Sequence, residues 1–275
     1  MSHRLHSPHP ERLQIHDAFR SRYLPARRCL RVYLPEGYRH SRRRYPVLYF
    51  QDGQNLFDPS TAYLGQCWYL HAALDGLVER GKAQPLILVG IDNAGEHRID
   101  EYTPTRDRHS GRGGQAARYG RMLVREIKPF MDERYRTLPD AHHTGIGGSS
   151  LGGLVSLFLA LRYPRVFDKA AVMSPSVWWD NRVILRFGER FRAHHRPQIW
   201  LDVGDHEGSN PQQVIADARV LRSVLVHKGW EEGKDLKYVE AMHAGHNEQA
   251  WAQRAPSMLR YLFPALRVRE ETHIW

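Results

Sequence analysis

Gly148-x-Ser150-x-Gly152 stands between a short apolar run, Thr144–Ile146, and a longer apolar stretch that begins near Leu151. A serine with a glycine two positions away on each side is the pattern of a sharp strand-to-helix turn that leaves its hydroxyl exposed. Such a hydroxyl attacks acyl carbon when a base takes its proton and an acid orients the base. A glycine-rich turn could instead cradle phosphate. However, no Lys follows these glycines as in a P-loop, and G-x-G-x-x-G is not matched.

The partners of a serine nucleophile on this kind of turn follow it in the chain, acid first and histidine last. After the apolar run Ile199–Val203 comes Gly204-Asp205-His206-Glu207-Gly208, an acid-rich turn in which Asp205 and Glu207 are both candidates. After Leu236–Ala241 comes Met242-His243-Ala244-Gly245-His246-Asn247-Glu248. Of the 17 histidines, His246 is the candidate base, because it follows a strand end and a glycine and precedes a helix start. The backbone N–H of Leu151, next to the serine, is the first expected donor to an oxyanion. Trp178 and Trp179 follow another strand end and are expected in an exposed loop lining a substrate pocket, with Trp68 and Tyr102 as companions.

The elements that must hold these residues are legible in the apolar periodicity. Cys29–Leu34, Val47–Phe50, Leu86–Ile91, Thr144–Ile146, Lys169–Met173, Ile199–Val203 and Leu236–Ala241 are rich in apolar residues. From Val47 onward they read as runs apolar on both faces, which suits buried parallel strands. Val214, Ala218, Leu221 and Leu225 mark one face of a helix, as do Met122, Leu123, Ile127, Phe130 and Met131, where Pro129 should kink or end it. Further helices are expected over Tyr69–Arg80, Leu151–Tyr163 and Glu248–Leu262. Strand and helix alternate from the middle of the chain to its end, which predicts an α/β fold with a mostly parallel central sheet and helices on both faces. Leu13–Phe19 and Cys29–Leu34 have no helix between them and are expected to pair antiparallel at one edge. The chemistry then belongs beyond the carboxyl ends of the strands.

Composition narrows the class. The chain has 275 residues and a net charge of +10, with 34 arginines against six lysines. The arginines are scattered, and the one dense run, Arg39–Arg44, falls in an expected loop, so no basic stripe for nucleic acid is present. No apolar run approaches the roughly 20 residues of a membrane span. Met1–Arg12 lacks the apolar core of a secretory signal, so a cytoplasmic location is expected. Cys29 and Cys67 form neither a disulfide framework nor a metal-ligand spacing, and no H-E-x-x-H is present, so neither metal nor cofactor is expected. Without repeats or a linker, residues 1–275 are expected to form one domain, with 1–12 as a flexible tail.

Several motifs in order carry a resemblance. They are "YPVLYFQDGQNLFD" (45–58), "VGIDN" with "RIDEYTP" (89–104), "GGSSLGG" (147–153), "SPSVWWDN" (174–181), "DVGDHEG" (202–208) and "AGHNEQAW" (244–251). Over about Cys29 to Phe263 the chain resembles the "Putative esterase" family of the α/β-hydrolase superfamily, which includes enterochelin-type, esterase D, feruloyl and acetyl-xylan esterases. The resemblance implies an α/β-hydrolase fold, Ser150 as nucleophile, His246 as base and an acid in the Gly204–Glu207 turn. The family's spacing from Gly204 picks Glu207, with Asp205 as runner-up. "DGQ" resembles the family's oxyanion turn and implies the Gln54 N–H as second donor. The function implied is serine carboxylester hydrolysis of a small-molecule ester through an acyl-enzyme. Acyl transfer by the same residues, or a non-catalytic basic binding protein on the same fold, are the alternatives.

Overall fold

Four of the apolar runs are buried at every position: β3 (Val47–Gln51), β4 (Ile87–Ile91), β5 (Thr144–Ser149) and β6 (Lys169–Met173). Strands with no solvent-facing side need cover on both faces, and parallel pairing through helical crossovers supplies it. The computed structural model, which describes residues 11–266, realises that arrangement. With β1 (Leu13–Phe19), β2 (Arg28–Tyr33), β7 (Gln198–His206) and β8 (Leu236–Gly245) they form one eight-stranded sheet, ordered β1-β2-β4-β3-β5-β6-β7-β8. From β4 to β8 every pairing is parallel, whereas β2 runs antiparallel to both β1 and β4.

The two faces of the sheet meet different helices. Leu48, Phe50, Leu88, Met173 and Trp200 pack with α1 (Leu70–Glu79) and with the last helix, α8 (Glu248–Leu262). Tyr49, Val89, Ile146, Val172 and Leu201 point the other way. They pack with the short α2 (Arg98–Tyr102), α3 (Ala116–Met122), α5 (Leu151–Arg162) and α7 (Pro211–His227), along with the helices between them.

Three details depart from the expectations. Pro129 neither ends nor breaks its helix. A π-turn over Leu123–Ile127 joins α3 to α4 (Lys128–Arg134), and Pro129 follows directly on that wider turn, where the helix makes room for its ring and missing N–H. Trp179 is not exposed: it stands before a positive-φ stretch, Asp180–Arg182, at the start of α6 (Trp179–Glu189), and is only 5% exposed. Residues 1–10 of the expected tail lie outside the described residues. Arg12, counted with that tail, is instead held by a bidentate pair to Asp75 at 2.8 Å and a bond from its Nε to the Leu34 carbonyl.

Candidate active site

Ser150 occupies the turn between β5 and α5, with φ 58° and ψ −124°. That left-handed conformation is costly for a residue with a Cβ. Backbone bonds on both sides hold it there: Ser150 N donates to the Met173 carbonyl at 3.0 Å, and the Ser150 carbonyl accepts from Leu154 N and Ser176 N. Gly148 admits the turn, because a Cβ there would lie 2.8 Å from the Gly152 carbonyl carbon. The Ser150 Oγ is 2.9 Å from His246 Nε2 and 3.4 Å from Ser176 Oγ.

His246 follows β8 and precedes α8, whose first turn is capped by the Asn247 side chain accepting from Ala250 N. One turn later Trp251 meets the imidazole edge-to-face at 4.9 Å. His246 Nδ1 is 2.8 Å from Glu207 Oε2. An ionised carboxylate only accepts, so this contact assigns the ring proton to Nδ1 and leaves Nε2 to accept from Ser150.

Glu207 is 1% exposed, and its other oxygen is also engaged. Oε1 accepts from Gly204 N at 2.7 Å and from the Ser174 hydroxyl. Ser174 Oγ in turn accepts from Trp251 Nε1 at 2.9 Å and Arg254 Nη2 at 2.8 Å. Arg254 Nη2 lies 3.1 Å from Asp202 Oδ1 and 3.7 Å from Glu207 Oε1, and Asp202 also accepts from Trp200 Nε1. Burial pushes the Asp202 carboxyl up, and the Arg254 cation opposes that shift. Gly204 is required by space as well, since a Cβ there would sit 2.2 Å from the Ala244 carbonyl oxygen.

Asp205 turns away from His246. Its Oδ1 accepts from Ala244 N at 3.2 Å and faces His206 Nδ1 at 2.6 Å, which holds its carboxyl below the usual range. The sequence therefore left two acids open in one turn, and the structure brings Glu207 to the imidazole.

Gln54 lies in a single 3₁₀ turn, Gly53–Asn55, at the end of β3. Asp52 precedes it at φ 56° and receives Arg98 Nε and Nη2, each at 2.8 Å, and Asn93 Nδ2 at 2.7 Å. Asp52 N donates to the Tyr102 hydroxyl. The turn lies against the start of α5: a methyl group on Gly152 would be 3.2 Å from the Asp52 carboxylate. Among the described residues, neither the Gln54 N–H nor the Leu151 N–H has an acceptor.

The tryptophans part company. Trp178 is 60% exposed, two residues beyond Ser176. Trp179 is buried, donates Nε1 to the Thr105 carbonyl at 3.0 Å and belongs to the core rather than to a pocket wall. Trp68 and Tyr102 are buried as well, Trp68 against Phe50 and Trp251, and Tyr102 against Tyr119. Reasoning from sequence missed Ser174, Ser176, Asp202, Trp251 and Arg254. Ser174, Ser176, Asp202 and Trp251 lie inside the motifs that carry the family resemblance, and Trp251 and Arg254 are three apart in α8 and share a face.

The order of strands, the elbow and the helices on both faces define an α/β-hydrolase fold. The chain belongs to the family described as "Putative esterase", whose model matches residues 21–262, and it is an esterase. It is 25% identical over 252 residues to the uncharacterized protein YbbA of Bacillus subtilis, covering 88% of this chain and 95% of that one. It is 27% identical over 224 residues to the ferri-bacillibactin esterase BesA of the same organism, covering 74% of this chain and 73% of BesA. Some other curated relatives are longer, and the chain spans 24% of one of them. Among solved structures, the BES protein from Bacillus cereus superposes with a TM-score of 0.76 at 19% identity, over 96% of this chain and 99% of that one. Among the described residues no helix is long and apolar enough to cross a membrane.

Proposed function

We propose that the chain hydrolyses a small-molecule carboxylic ester through an acyl-enzyme, with Ser150 as nucleophile, His246 as general base and Glu207 as the acid that orients it. The observation that carries this reading is the unbroken relay from Ser150 Oγ to His246 Nε2 and from His246 Nδ1 to Glu207 Oε2, at 2.9 and 2.8 Å. Ser150 attacks the ester carbonyl as its proton passes to Nε2. The resulting oxyanion is taken by the Gln54 and Leu151 N–H groups, each such donor being worth about 3–4 kcal/mol. His246 then returns the proton to the leaving alcohol and draws one from water to release the acid. The first ester panel is set by relatives: BesA is named a ferri-bacillibactin esterase, and the exposed Trp178 near Ser150 would offer an aromatic group a face.

Purified protein should hydrolyse p-nitrophenyl esters, and a fluorophosphonate should label Ser150. Ser150→Ala should lose up to about 10⁶-fold in kcat and all labelling. An active Ser150→Ala protein would sink the reading. Every step uses side chains and backbone alone, so EDTA should leave turnover unchanged. Loss on chelation that zinc restores, with Tm unchanged throughout, would put a metal in the reaction instead.

A further inference from the structure

Beside the relay, on its solvent side, two imidazoles and a carboxylate converge. One ligand atom each from Asp205, His206 and His243 lies within 4.8 Å of the other two. The fold brings His206 and His243 together across the 36 residues that separate them in sequence. The parallel pairing of β7 with β8 is regular through Gly204 and Ala241, then shifts so that His206 stands opposite Gly245. Such a register shift re-aims side chains at a strand end. Here the His206 and His243 rings come side by side, with centroids 5.8 Å apart, and Asp205 lies beside them.

We infer that Asp205, His206 and His243 form a three-ligand site for a late first-row divalent cation of the zinc class, clamping the ends of β7 and β8 just outside the proposed catalytic relay. The donor set is two imidazole nitrogens and one carboxylate oxygen, which suits zinc and its neighbours, whereas calcium and magnesium need oxygen ligands. Tetrahedral zinc with bonds of about 2.0–2.1 Å places its ligand atoms about 3.4 Å apart, within rotamer adjustment of the present spacing. Asp205 already has an outer-shell partner in the Ala244 N–H, which orients its carboxylate. The cation would replace the hydrogen bond between His206 Nδ1 and Asp205 Oδ1, the single ring proton of a neutral imidazole resting on Nε2 when Nδ1 is a ligand. His206 and His243 are exposed, which leaves the fourth position to water.

The site is separate from the esterase reading and is tested without substrate. Asp205 is two residues before Glu207, and His243 is three before His246, so a bound cation ties together the two chain ends that carry them.

The full chain, untagged and stripped with chelator, would be titrated with zinc by calorimetry. It would also be titrated with cobalt by visible absorption, and melted with and without zinc. One saturable site is expected, with a tetrahedral cobalt spectrum, and Tm should rise by about 5 °C at a hundredfold excess of zinc over Kd. Magnesium should do nothing. His206→Gln and His243→Asn should each weaken zinc binding, asparagine being chosen because it tolerates the φ of 54° at that position. Outer-shell losses already cost about 10–100-fold, so a lost ligand should cost at least that. His246→Gln should bind zinc as the parent does. Circular dichroism and the zinc-free Tm of each variant separate ligand loss from misfolding. The inference falls if the parent shows no saturable zinc site. It also falls if both folded ligand variants bind like the parent, or if His246→Gln alone abolishes binding.

Discussion

At the residue scale, the decisive comparison is between two acids that share a turn. Glu207 reaches His246 Nδ1 with one oxygen while its other oxygen is held by Gly204 N and Ser174, so its orientation is overdetermined. Asp205 spends its carboxylate on Ala244 N and His206. Replacing Glu207 by Gln keeps the shape but presents an amide that favours the wrong imidazole tautomer, and kcat should fall by about 10⁴-fold. Asp205→Asn should leave kcat within a few-fold of the parent. Steady-state kinetics on both, with circular dichroism as the folding control, checks the pair, and a reversed pattern would move the acid to Asp205. The meeting of Ser150 and His246 was legible because each follows the carboxyl end of a parallel strand, β5 and β8, of one sheet. The choice of acid was not legible from local chemistry. It depends on non-local contacts: Gly204 leaves room for the Ala244 carbonyl and for Glu207 Oε1, which its N–H holds at 2.7 Å.

At the element scale, α8 carries more of the site than its sequence suggests. Trp251 covers the imidazole, and Arg254, 8% exposed, is the cation between the buried carboxylates Asp202 and Glu207. Removing one partner of such a group leaves charge uncompensated in the interior, at a cost of about 3–5 kcal/mol. Arg254→Met should therefore lower the unfolding free energy measured in urea by an amount in that range. It should also reduce kcat in the molecules that remain folded, because Ser174 loses one of the donors that seat Glu207. Unchanged stability would mean that Asp202 protonates without cost. Apolar runs found the central strands β3 to β6, which are buried throughout, and periodicity found α7 and α8, which are buried along one face. It missed α6 because Asp180, Asn181 and Arg182 have φ of 42°, 53° and 61°, so the right-handed pattern starts only at Val183. Trp179, placed before that break, looked like a loop residue and is core.

At the scale of the whole molecule, the charge of +10 and the distribution of perturbed groups make acid the weak direction. His16, on the edge strand β1, is lowered from 6.5 by burial and then by Arg134, with Asp17 opposing; its Nε2 lies 2.7 Å from the Tyr135 hydroxyl. A histidine lowered in the fold takes up its proton more readily when unfolded. Its contribution is complete above pH 6.5 and is lost as pH falls from there toward its folded value. A second group then follows. Asp58, Asp100, Asp140 and Glu240 are all held below their ordinary values of 3.8 and 4.5, the aspartates at 58 and 100 chiefly by backbone N–H groups and Glu240 by Arg219. Their contributions are present above those values and vanish as pH falls through the folded ones. Asp202, Glu101 and Glu248, raised by burial, act with the opposite sign and soften this loss. Each carboxylate that protonates also adds to a positive charge that already repels itself. Chemical denaturation at a series of pH values should show stability declining in two stages, a shallow one beginning below about pH 6.5 and a steep one below about pH 4.5. His16→Gln should remove the first stage and leave the second. Raising the salt to about 1 M, where the Debye length is about 3 Å, should lift the acid limb more than the neutral plateau. An acid limb indifferent to salt would assign the loss to the individual carboxylates and not to the charge of the whole chain.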